Sequence, residues 1–149
     1  MNFREELKKI LQTKIEEKLQ KDDFASLWLS EVNKAEKTLK VPLGSQRGRD
    51  CRPLIVLSKN KKIIKKIIFL TTKGDFLPIN INNCTKKVCI CKNKLFKWEN
   101  KSKVFRLWGN KIIFLLTTEQ LKYIAQPCGF CDKQEIEDIY KQIKKYQRG

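Results

Sequence analysis

Apolar residues recur along this chain in short runs divided by lysines, and their period changes from one segment to the next. Phe3, Leu7, Ile10, Leu11, Ile15 and Leu19 keep helical spacing, which predicts a helix over 2–21 with Asn2 as its cap and Glu5 and Glu6 in its first turn. FASLWLSEV, 24–32, alternates instead: Phe24, Trp28 and Val32 share one parity and Leu27 and Leu29 the other, which predicts a first strand. Residues 33–52 are polar and basic, hold Pro42, Gly44 and Gly48, and read as a long mobile connection with a binding role. Strands follow over 54–58 and 63–71, the second buried on both faces near its end and solvated at its start by Lys65 and Lys66. FLPINI, 76–81, is extended, with Pro78 placing it at an edge or bulge. The segment 86–98 accommodates a hairpin around Lys92-Asn93-Lys94, and 103–107 and 111–117 flank Gly109-Asn110 as a further strand pair. A helical turn over 119–124 and a breaker-rich link, QPCGFCDK, precede a last helix. Asp132 is its N-cap, Glu135 stands at the capping-box position, and Ile136, Ile139, Tyr140 and Ile143 form its apolar face through about Lys145.

This order predicts a mainly β fold with flanking helices. Six short strands bury little as a flat sheet, so the expected form is a small, curled antiparallel barrel. Residues 1–22 are the helical extension and 23–149 the barrel domain with its C-terminal helix.

Charge narrows the partners. Lys and Arg number 33 against 16 Asp and Glu, a formal net charge of +17, which repels itself unless a polyanion is near. Nucleic acid is the first candidate, anionic membrane the second, and an ordinary basic surface the plain alternative. No apolar run reaches bilayer length and the N-terminus lacks a signal core, so the expectation is a cytoplasmic protein without stable membrane insertion. The chain has no histidine, which excludes paired-histidine nuclease chemistry and every histidine-based triad. With no targeting signal, its six cysteines are expected as reduced thiols rather than disulfides.

The stretch GSQRGRDCRP, 44–53, runs from a glycine-containing basic loop into the apolar run LIVLS. Arg52 beside Pro53 is placed to meet a phosphate, because a guanidinium holds two phosphate oxygens and stays charged; the bland role is to solvate the strand start. Ser45, Arg47, Arg49 and Lys73 are secondary RNA-binding candidates, and a solvated loop is the competing reading. Trp98 and Trp108, surrounded by basic residues, are the aromatics best suited to stack on bases, although aromatics in a small barrel are more often core. Cys89, Cys91, Cys128 and Cys131 form a C-x-C and a C-x-x-C pair able to hold a structural zinc if they converge, with Cys84 as a substitute ligand. Free thiols and a redox role stay open beside that.

In order and spacing, FASLWLSEV, Gly44-Ser45, Gly48, Arg52-Pro53, LIVLS, KKIIFLTT, Gly74-Asp75-Phe76-Leu77-Pro78 and LKYIAQPCGFCDKQEIEDI resemble the MazF/PemK family of toxin endoribonucleases over about residues 24–145. The resemblance implies an SH3-like barrel and sequence-selective cleavage of single-stranded RNA, including mRNA, as the toxin of a type II toxin–antitoxin pair. It implies catalysis by Arg52 and Thr71 without a required cofactor, attack by the adjacent 2′-hydroxyl, a homodimer, and an acidic antitoxin competing for the RNA groove. Gln46 stands where the family carries a glutamate. Two other readings are kept: a non-catalytic RNA- or DNA-binding module of the same fold, and a structural or regulatory interaction protein.

Overall fold

Strand parity explains the architecture. In the computed structural model, which describes residues 3–7, 25–58 and 63–148, the central strands carry apolar side chains at odd and even positions alike. These are β1 (Leu27–Glu31), β2 (Cys51–Val56) and β3 (Ile64–Thr71). Leu27, Leu29, Ile55, Ile68 and Leu70 enter one core, while Trp28, Leu54, Val56, Ile67 and Phe69 enter a second. A sheet apolar on both faces must be covered on both. The first core is capped by Ile139 and Ile143 of α3 (Lys133–Arg148). The second is capped by Val32 and Ala35 of α1 (Val32–Leu39) and by Leu121 and Ile124 of α2 (Thr118–Ile124).

The remaining strands are β4 (Pro78–Asn80), β5 (Thr85–Lys86), β6 (Cys89–Cys91), β7 (Lys94–Phe96), β8 (Lys101–Val104), β9 (Ile113–Thr117) and β10 (Ala125–Phe130). The main path runs β4-β8-β3-β2-β1-β10-β5, with β9 also on β3, and the recorded pairings are all antiparallel. A mainly antiparallel β fold with flanking helices is therefore present. Among the described residues the path does not close into a barrel. Among the described residues β6 and β7 pair only with each other, through a turn in which Lys92 and Asn93 both have positive φ, as the expected hairpin requires.

Several expectations change. Residues 33–52 are not all connection: Val32, Ala35 and Leu39 place three apolar groups on one face of α1, a spacing hidden among lysines. QPCGFCDK is not a link. Most of it is β10, an interior strand lying between β1 and β5, and at Gly129 a Cβ would meet Thr85 O at 2.2 Å, so the close approach of β5 excludes a side chain there. β8 and β9 are not a strand pair. Both lie on β3, β9 against Ile64–Ile68 and β8 against Leu70 and Thr71. Lys65 does not solvate the start of β3, for it is buried while Ile63 and Ile64 are exposed.

Pro78 does sit on an edge strand. Pro53 pairs with Leu29 of β1 at a position before the β2–β3 ladder begins, so its missing N–H deprives no second neighbour. Residues 3–7 are helical, and the rest of the helix expected over 2–21 lies outside the described residues. α2 forms as expected, with a Thr117–Gln120 capping box. No described helix is long and apolar enough to cross a membrane.

Candidate nucleic-acid interface

Arg52 is buried, only 5% exposed. Its Nε donates to Leu43 O at 3.0 Å, its Nη1 donates to Leu70 O at 3.1 Å, and its guanidinium lies 4.4 Å from the centre of the Phe105 ring. Its own carbonyl accepts from Ser30 Oγ at 2.6 Å. Burial first, then repulsion from Arg49, pulls its pKa down to about 10, with Glu36 acting in the opposite sense, so it remains charged at neutral pH. Arg52 thus ties the root of the 43–50 loop to β3 beside Thr71.

The loop is held from the other side by Glu36, which the sequence reading did not single out. Its Oε2 accepts from Leu43 N at 2.6 Å. Burial raises its pKa, but hydrogen bonds from the Leu43 N–H, the Ser45 hydroxyl and the Ser45 and Gly44 N–H groups outweigh that and hold it below the ordinary value. Gly44 has φ 112°, and a Cβ there would lie 3.1 Å from Arg52 Nη2 and 3.3 Å from Arg49 Cβ, so a side chain would crowd the loop root. The only sequence signal for Glu36 is an acid on the polar face of a short helix preceding a Gly-Ser turn.

The depressed pKa has a testable consequence. A lowered carboxylate pKa gives stability that is present above the unfolded value and lost as pH falls through the folded one. Wild type is expected to melt above a Glu36→Gln variant at pH about 6, with the difference closing only as pH falls below the ordinary glutamate range. Melting temperature against pH measures it; a difference independent of pH would assign the titration to another group.

Thr71 is half-buried at the end of β3, across from Lys103 of β8, and its Oγ1 accepts from Lys73 N at 3.2 Å. A cleft of about 90 Å³ opens beside it, lined by Arg49, Pro53, Thr71, Thr72, Trp98 and Ser102, among others, and by one acid, Glu99. Trp98 is 8% exposed, and its Nε1 is buried without a hydrogen-bond partner among the described residues. Arg49, Thr71 and Trp98 are therefore brought to one cleft, and Arg52 stands behind it. Arg47 and Lys73 are exposed, Ser45 serves the Glu36 contact, and Asp50 pairs with Lys92 at 3.6 Å. The side chain of Trp108 lies outside the described residues.

A second cleft, of about 250 Å³, contains Lys34, Lys92, Lys122, Tyr123 and the Cys51 and Cys91 side chains. The two clefts meet β2 at Cys51 and at Pro53, and the β6–β7 hairpin contributes to both.

The expected reduced cysteines and the expected zinc set both give way. Three disulfides join Cys51 to Cys91, Cys84 to Cys131 and Cys89 to Cys128. Cys89, Cys91, Cys128 and Cys131 each take a bond that removes the thiolate zinc needs, and these four do not gather into one cluster among the described residues. An isolated hairpin is marginal in water. Here Cys91 and Cys89 fasten the hairpin to β2 and β10 covalently, which is what the C-x-C spacing achieves. Comparison with protein-family models, curated proteins and solved structures finds no match to this chain.

Proposed function

We propose that this protein binds single-stranded RNA across the Arg49–Thr71–Trp98 cleft and cleaves it by attack of the adjacent 2′-hydroxyl, as the MazF/PemK resemblance implies. The observation that carries the reading is that a cation, Arg49, and a hydroxyl, Thr71, of independent chemical promise line one cleft, beside the largely buried Trp98 ring. In this reading Arg49 supplies the cation that stabilises charge on the phosphate oxygens, and Thr71 donates its hydroxyl to one of them. Arg52 is a positioning residue that holds the loop carrying Arg49 against β3. Lys34 and Lys92 of the neighbouring cleft are already paired with Glu31 at 3.3 Å and Asp50 at 3.6 Å, so in this reading the RNA contact centres on the Arg49 cleft. A homodimer with an SH3-like core, partnered by an acidic antitoxin, belongs to the same proposal.

One observation favours a second reading. Two donor atoms of Arg52 are engaged by backbone carbonyls, so the arginine that the resemblance makes catalytic does not face the cleft freely. That fits a module that binds RNA without cutting it.

Incubation of chelator-treated protein with a long single-stranded RNA, with mapping of the cut ends, separates the two. The expected products carry a cyclic phosphate and a 5′-hydroxyl. Arg49→Ala is expected to weaken binding about tenfold and to lower the salt dependence by roughly one ion. Tight binding with intact RNA would establish the non-catalytic module, and unchanged affinity in Arg49→Ala would remove the cleft from the proposal.

A further inference from the structure

Away from the RNA cleft, the end of β10 and the start of α3 bring three metal-ligand atoms together. The sulfurs of Cys84 and Cys131 and a carboxylate oxygen of Glu135 lie within 4.8 Å of one another. Cys84 ends a turn in which its N–H donates to Ile81 O at 3.0 Å; Cys131 follows β10 and Glu135 is in the first turn of α3.

The contact between Cys84 Sγ and Glu135 Oε2 is 2.8 Å. A disulfide sulfur has no proton to donate, and an ionised carboxylate only accepts, so the oxidised pair gives this approach no attraction. A cation shared by sulfur and oxygen does. We propose that in the reduced protein Cys84, Cys131 and Glu135 bind one zinc-class divalent cation.

A dithiol reductant supplies two electrons and two protons, the Cys84–Cys131 bond opens to two thiols, and the reductant leaves as its own disulfide. The cation then displaces both thiol protons to solvent. Two thiolates and one carboxylate carry three negative charges, of which a divalent ion offsets two. Cys131 also precedes the N-terminus of a 16-residue helix, whose dipole favours the thiolate. Borderline-soft zinc takes sulfur and carboxylate together, and three protein ligands leave one position for solvent. The ion replaces the disulfide as the clip between the turn at Cys84 and α3.

The test reduces the whole chain anaerobically, adds Zn²⁺, removes unbound metal and measures zinc against protein, with Co²⁺ giving a thiolate charge-transfer band. About one equivalent is expected in the reduced protein and almost none in the oxidised one. Cys84→Ser is expected to abolish the band. Glu135→Gln, which keeps the disulfide and so can be purified oxidised and folded, is expected to weaken binding by roughly tenfold or more. Cys51→Ser/Cys91→Ser is expected to leave uptake unchanged. Uptake insensitive to Cys84→Ser and Glu135→Gln, uptake lost only when Cys89 or Cys128 is replaced, or a reduced protein that takes up no zinc, folded or unfolded, would each overturn the site.

Discussion

Reduction of all three disulfides in the presence of a chelator is expected to lower the melting temperature by roughly 20 °C or more, or to abolish the folded state at 37 °C. The bonds span sequence separations of 40, 47 and 39 residues. By the chain-entropy estimate each closed loop of that length is worth about 4 kcal/mol. The loops interleave, so the contributions do not add, yet any large fraction of their sum rivals the 5–15 kcal/mol that holds a typical domain together. The loss should concentrate in the hairpin, because among the described residues β6 and β7 have no ladder to the main sheet. Circular dichroism with and without reductant reads the effect, and alkylation of the unreduced, denatured chain should find no free thiol. A fully reduced, chelated protein melting at the oxidised temperature would refute it. Such bonds persist mainly in oxidising compartments or in proteins of extreme thermophiles.

Replacement of Arg52 by alanine is expected to destabilise the protein by about 4 kcal/mol, roughly 10 °C in melting temperature. It removes two charge-assisted hydrogen bonds and leaves the carbonyls of Leu43 and Leu70 without that donor. It also removes the contact with Phe105, worth up to about 2 kcal/mol when desolvated. Arg52→Lys is expected to recover only part, since one ammonium cannot reproduce the spread of a guanidinium. Thermal melts alongside RNA cleavage distinguish the roles. Lost cleavage with an unchanged melting temperature would make Arg52 a catalytic residue and remove its positioning role. A large thermal loss, with cleavage by the still-folded fraction close to wild type, would place the chemistry at Arg49 and Thr71.

How far the sequence could be read varies by element. The β2 and β3 runs and the apolar face of α3 were legible, because uninterrupted or strictly spaced apolar residues leave few places to bury them. β10 was not. Gln126, Pro127 and Gly129 read as breakers, and only the pairing of Leu29 with Gln126, Trp28 with Pro127 and Leu27 with Gly129 makes that segment a strand. Its local propensity was overridden by an adjacent strand that needed a partner. α1 was obscured for a related reason: eight residues with three apolar positions carry too weak a period to be separated from the basic loop that follows.

The same division runs through the candidate site. Sequence alone determined the net positive charge, the absence of histidine chemistry, the basic Gly-Ser loop feeding an apolar strand, and Thr71 at the next strand's end. These are properties of composition and order. Which arginine faces the cleft was decided by tertiary structure. Arg49 and Arg52 lie three residues apart and look equally able to hold phosphate, but strand pairing buries Arg52 against the carbonyls of Leu43 and Leu70 and leaves Arg49 lining the opening. Cysteine pairing was decided there too, because Cys51 and Cys84 meet Cys91 and Cys131 only after long loops close. Spacing along the chain fixes which groups are available, whereas burial and hydrogen bonding across strands fix which of them stay free to act.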